Sequence, residues 1–141
     1  MEIRSESRIT HSREVVYLAY RDRMPDATPY LTDVKEIRVR KREEAGGVVE
    51  LHNEWISDRE VPSFAKKILK PEALCWDDFA TWTDADHQCK WRLRTRAFTD
   101  AVDCSGSTTF LDNGDGTTTV RVHGELKINL KSIPGVPGFL C

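Results

Sequence analysis

The chain has 141 residues, 21 Lys plus Arg against 23 Asp plus Glu, a formal net charge of −2, and 39% hydrophobic with 31% charged residues. That length suits one ordinary domain able to bury roughly two-thirds of its unfolded surface, so a core can form without staples. The near-neutral balance excludes a disordered chain and a basic nucleic-acid binder, and no apolar run approaches the ~20 residues of a membrane-spanning helix.

Residues Ile3 to Thr10 alternate apolar or small with charged side chains, the period-2 pattern of a strand with one solvated face. Ser12 before Arg13-Glu14-Val15 is a helix N-cap, and Val15, Val16, Ala19, Tyr20 and Met24 follow helical spacing until Pro25. Asp26 to Leu31 forms a second short helix or a turn. Val34 to Arg42 and Val48 to Ile56 form a hairpin around Gly46-Gly47, with Arg38, Arg40 and Arg42 on the solvent side. Pro62 opens a short amphipathic helix in which Phe64, Ala65, Ile68 and Leu69 recur among Lys66, Lys67 and Lys70. Leu74 to Thr83, Cys89 to Arg96, Ala101 to Leu111 and Thr118 to Leu130 complete the strands, with turns at Asp84 to His87 and Asn113 to Gly116. This order predicts an α+β fold of about seven strands with its helices early and mid-chain.

The four cysteines, Cys75, Cys89, Cys104 and Cys141, contain no C-x-x-C pair, and free thiols are expected. The start Met1-Glu2-Ile3-Arg4 lacks the basic-then-apolar order of a secretory signal, so the chain is expected to be cytoplasmic. His11, His52, His87 and His123 are scattered without metal-ligand spacing, and no metal or cofactor is expected. The run Asp112-Asn113-Gly114-Asp115-Gly116 reads as a hairpin turn rather than a calcium loop, because His123 stands where the twelfth-position glutamate belongs. Arg38 to Arg42 is followed by Glu43-Glu44 and reads as a solvated strand face, not a nucleic-acid contact.

The order of elements resembles the START-like helix-grip superfamily, also called SRPBCC. In that family one strand, two short helices, six antiparallel strands and a long C-terminal helix form a curved sheet gripping that helix. The stretch from Val61-Pro62-Ser63-Phe64 to Trp82 is similar to the PRELI-type phospholipid-transfer branch. The resemblance covers almost the whole chain, 1–141, as a single domain. Its long terminal helix has no counterpart beyond Ile133 to Cys141, so a truncated form of a longer chain is expected, with a second protomer over the groove as the alternative.

The resemblance implies a hydrophobic small-molecule ligand, a lipid or a polyketide- or isoprenoid-like compound, held between the sheet and the helices for transfer or storage. Trp55, Trp76, Trp82 and Trp91 all lie on strands and can serve as cavity wall or as core. Trp91 and Leu93 are inward because Arg92, Arg94 and Arg96 take the opposite parity. The parity of Trp76 and Trp82 brings Asp78 inward and Phe79 outward, unless a bulge near Asp77-Asp78 reverses part of it. The Trp N–H groups or the carboxylate of Asp78 would then orient the ligand. Phe64, with Lys66, Lys67 and Ile68, marks a segment able to touch an anionic membrane surface at the cavity mouth, against the plainer reading of a helix packed on the sheet edge. Two other functions fit the same residues: an aromatase/cyclase-type enzyme using Asp78 or a pocket tyrosine such as Tyr20 or Tyr30, and a protein-interaction module using the open groove.

Overall fold

The computed structural model describes residues 1–67 and 74–133. Seven strands form, β1 (Glu2–Ile9), β2 (Val34–Ala45), β3 (Val48–Ser57), β4 (Trp76–Thr83), β5 (Gln88–Thr95), β6 (Val102–Asp112) and β7 (Thr118–Ile128). They make one curved sheet in the order β1-β7-β6-β5-β4-β3-β2, every neighbouring pair antiparallel. Short turns join β2 to β3, β4 to β5 and β6 to β7, and β1, followed by the helical segment, pairs with β7. At the β2–β3 turn Gly46 and Gly47 hold φ of 59° and 77°, the left-handed pair that a two-residue hairpin demands.

One α-helix, α1 (Arg13–Asp22), follows β1, and the Ser12 hydroxyl accepts from the Val15 N–H at 3.4 Å to cap it. The second short helix is a 3-10 segment, Met24–Tyr30. Pro25 near its start and Pro29 inside it each remove a backbone donor, which favours a tight turn over an α-helix. α1 lays Val16 and Tyr17 on the inner face of the sheet, against Val49, Leu51, Ala80, Trp82, Cys89, Phe110 and Val120. Polar contacts fix its position on the β4–β5 turn. The Tyr17 hydroxyl donates to Asp84 at 2.8 Å, Arg21 donates to the same carboxylate at 2.9 Å, and Glu14 meets His87 at 2.9 Å.

Several local expectations change. Of the mid-chain helix, the described residues hold a 3-10 turn at Ser63–Ala65, and Ile68, Leu69 and Lys70 lie outside the described residues. The last strand face of β2 is reversed. Its register against β3 shifts between Val39 and Lys41, so Arg42 stands opposite inward Leu51 and its guanidinium meets Asp22 of α1 at 2.8 Å. Arg38 and Arg40 keep the outer face, where Arg38 pairs with Glu36 and Arg40 with Glu54. The bulge thus lies in β2; the Asp77-Asp78 stretch pairs with β3 and β5 in unbroken register. The tail 134–141, and with it the expectation about the terminal helix, lies outside the described residues.

Candidate functional site

The inner face of β3 to β7, the end of α1 and the segment after it line two adjoining open hollows that share Tyr20 and Met24. The deeper, of about 260 Å³, is walled by Tyr20, Asp78, Trp82, Trp91, Leu93 and Thr108, among others. The second, of about 480 Å³, opens between the 3-10 segment and Trp55. Side by side they fall in the size range of small-molecule sites, with mostly apolar walls and few polar groups.

Strict alternation places these walls. On β5 Trp91 and Leu93 turn inward while Arg92 and Arg94 turn out. The Trp91 indole lies over Gly106 of β6 and Gly124 of β7, which face each other across the ladder. A Cβ on either glycine would come within 2.7 Å of the Trp91 ring. Two missing side chains therefore make the floor on which this ring rests, and its N–H is held by the Thr108 hydroxyl at 3.1 Å. Trp82 is buried deeper, its ring centroid 5.6 Å from that of Tyr17 and 5.9 Å from that of Phe110.

Among the described residues, four polar atoms on the inner face of β3 and β4 are buried without a hydrogen-bond partner: Asn53 Oδ1, Trp55 Nε1, Asp78 Oδ1 and Trp82 Nε1. Buried groups of this kind are uncommon and call for a cause. Asp78 is the chemically active member. Burial pushes its carboxyl from the usual 3.8 up to about 6, and the neighbouring Trp55 indole N–H, which closes no hydrogen bond with it, and the His52 charge only partly oppose this. The same burial raises the Cys89 thiol and the Tyr20 phenol, so both stay neutral around pH 7.

The structure brings Asp78, Trp82, Trp91 and Leu93 to the deeper hollow and Trp55 to the second. Trp76 stacks on Trp55 with centroids 5.6 Å apart and stands behind it rather than in either wall. Phe64 is 87% exposed and lines neither hollow. The walls also hold residues not anticipated there, among them Met24, Leu31, Thr108 and Val122. Met24 was readable only as a helical apolar position, and Thr108 is a hydroxyl in a strand whose inward role depends on its pairing opposite Cys89.

On the outer face of the same strands several charges are paired with one another. Glu54, 4% exposed, is covered by the guanidiniums of Arg40 and Arg96, with Arg40 donating to it at 2.5 Å. Few other protein atoms surround this carboxylate, so it is a surface group roofed by its own partners. Asp77 accepts from Arg96 at 3.1 Å and meets His52 at 2.8 Å, and His52 stacks on Phe79. Burial works to raise Asp77, but the hydrogen bonds from Arg96 and His52 prevail and hold it below the usual range. Among the described residues no three His, Cys, Asp or Glu side chains converge as metal ligands would, and no helix is long and apolar enough to cross a membrane.

No protein-family model and no curated protein sequence matches the chain. Solved structures do. The ZhuI aromatase/cyclase of Streptomyces sp. R1128 superposes with a TM-score of 0.63 at 10% identity, over 92% of this chain and 68% of that one. A START-superfamily protein of Mycobacterium smegmatis gives 0.56 at 13% identity, over 99% and 82%. A point mutant of Thalictrum flavum norcoclaurine synthase gives 0.60 at 12% identity, over 96% and 80%. At such identities the likeness is one of fold. The chain has the START-like, SRPBCC helix-grip fold.

Proposed function

We propose that this protein binds a hydrophobic small molecule, a lipid or a polyketide- or isoprenoid-like compound, between the inner sheet face and α1. The observation that carries this reading is the pair of adjoining apolar-walled hollows with buried, unpartnered polar atoms at their margin. Burial of the ligand's apolar surface would drive association at roughly 25 cal/mol per Å². The orphaned indole N–H and carboxyl groups would fix its orientation, because each gains a hydrogen bond that it lacks in the free protein. The fold is shared with an aromatase/cyclase and a START-superfamily protein, which supports the same class of ligand. Incubating the purified protein with a lipid extract and identifying what co-purifies by mass spectrometry tests the reading. A stoichiometric apolar compound is expected, and an empty protein would overturn it.

A second reading is favoured by Asp78. A buried carboxyl in the hollow wall with a pKa of about 6 is poised for proton transfer near neutral pH, with Tyr20 beside it. This supports chemistry of the aromatase/cyclase kind on the bound ligand. In either case the protein acts in the cytoplasm, and the exposed Phe64, Lys66 and Lys67 would touch anionic membranes during ligand exchange. Sedimentation with vesicles containing phosphatidylserine checks that contact, and no binding at low salt would refute it.

A further inference from the structure

The deeper hollow has an unbalanced charge. Among the described residues, Asp78 is the one carboxylate in its wall, and no Lys, Arg or His lines it. One carboxyl oxygen is buried without a hydrogen-bond donor, while the adjacent Asp77, on the outer face, has both a guanidinium and an imidazole. Around the unpaired carboxylate stand three aromatic rings, Tyr20, Trp82 and Trp91. Aromatic faces attract cations through the ring quadrupole, and a carboxylate among such rings is complementary to a positive group on an apolar body.

We propose that the hollow selects a cationic amphiphile, an apolar molecule bearing a protonated amine, with the ammonium against Asp78 and the apolar body along the aromatic wall towards the second hollow. The inference rests on the ligand-binding reading above. A neutral lipid entering the hollow would bury the Asp78 charge further and offer it no counter-charge. A fatty anion would face it directly. An ammonium supplies donors for the orphaned oxygen and neutralises the charge in one contact.

The titratable groups facing Asp78 are the Cys89 thiol on β5 and the Tyr20 phenol on α1, both held neutral by burial, while His52 lies across the sheet. Protonation of Asp78 is therefore the event that controls amine binding in weakly acidic solution.

Isothermal titration of the full chain with octylamine, octan-1-ol and octanoate, which share one apolar tail, tests the proposal. At pH 7.5 the amine is expected to bind at least about tenfold more tightly than the alcohol, a difference of about 1.4 kcal/mol, and the alcohol more tightly than the acid. Asp78→Asn should bring the amine down to the level of the alcohol. On the unaltered protein, lowering the pH from 7.5 to 5 should weaken the amine about tenfold, because Asp78 must then release a proton, and should leave the alcohol unweakened. An alcohol that binds as well as the amine, or an amine preference that survives Asp78→Asn, overturns the proposal and leaves the ligand-binding reading intact. If none of the three binds, the ligand-binding reading itself fails. Should the variant not fold, the pH comparison on the unaltered protein decides.

Discussion

Asp77 and Asp78 are neighbours in one strand, and the alternation of the strand sends them to opposite fates. Asp77 faces outward into a network of Arg96 and His52 and is held below the usual carboxylate range. Asp78 faces inward, where it finds apolar walls and has a pKa of about 6. The outer network is complete: Glu54, Arg40, Arg96, Asp77 and His52 satisfy one another. The inner face, among the described residues, leaves four buried polar atoms without partners. A satisfied charge network is explained by the fold that it ties together. An unsatisfied one, beside a hollow, costs the fold stability and is explained by something that binds there.

The comparison can be broken by substitution. The largest effect is expected at the inner floor, where Gly106→Ala would place a methyl against Trp91 and against the backbone of His123 and Gly124. A loss of roughly 3 kcal/mol is expected from overpacking that the backbone cannot relieve. Thermal unfolding followed by circular dichroism should show it as a lowered midpoint, and an unchanged midpoint would mean that the floor is not packed as described.

Asp78→Asn should have the opposite sign. Lifting an acid from 3.8 to about 6 on folding costs on the order of 3 kcal/mol above pH 6, at about 1.4 kcal/mol per tenfold in proton affinity. Removing the charge should recover about 2 kcal/mol at pH 7.5, since the amide also loses some hydration. The sign follows from linkage. Folded Asp78 holds its proton more tightly than unfolded, so the unaltered protein gains stability as the pH falls from 6 towards 3.8, and the advantage of the variant should fade by pH 4. Asp77 runs the other way: its contribution is present above 3.8 and is lost as the pH falls through its lowered folded-state value. Urea unfolding at pH 7.5 and 4 measures the Asp78 effect, a further series below pH 3.8 reaches the loss at Asp77, and a variant less stable than the parent at pH 7.5 would contradict the account.

On the outer face smaller losses are expected. Glu54→Ala removes the carboxylate shared by Arg40 and Arg96, but both guanidiniums are partly exposed and can hydrate, so about 1 kcal/mol should be lost. Arg92→Ala breaks an exposed pair with Asp103, and its unfolding midpoint in urea should correspond to a change below ~0.5 kcal/mol.

Much of this arrangement is legible in the chain before folding. Alternation at Cys89 to Arg96 assigns Trp91 and Leu93 to the inner face, and the parity of Trp76, Asp78 and Trp82 places the carboxyl with them. What depends on pairing is not legible. The bulge in β2 arises from its register with β3, so the inward turn of Arg42 towards Asp22 has no local sign. The outer network joins residues 14 to 42 positions apart and forms only once β2, β3, β4 and β5 lie side by side. Met24 enters the walls because the helix docks with Val16 and Tyr17 on the sheet, and helical spacing alone does not say where the next turn lands. Trp76 has the predicted parity, yet it meets Trp55 across the ladder instead of the hollow, since the two stand opposite in register.

The most direct measurement is a carbon-13 NMR titration of the side-chain carboxyls, with and without a saturating apolar ligand. In the free protein Asp78 should titrate near pH 6 and Asp77 below 3.8, and the ligand should move the midpoint of Asp78 while leaving that of Asp77 in place. Two carboxyls that both titrate near 3.8, or a bound ligand that shifts neither, would contradict an inner face built for binding.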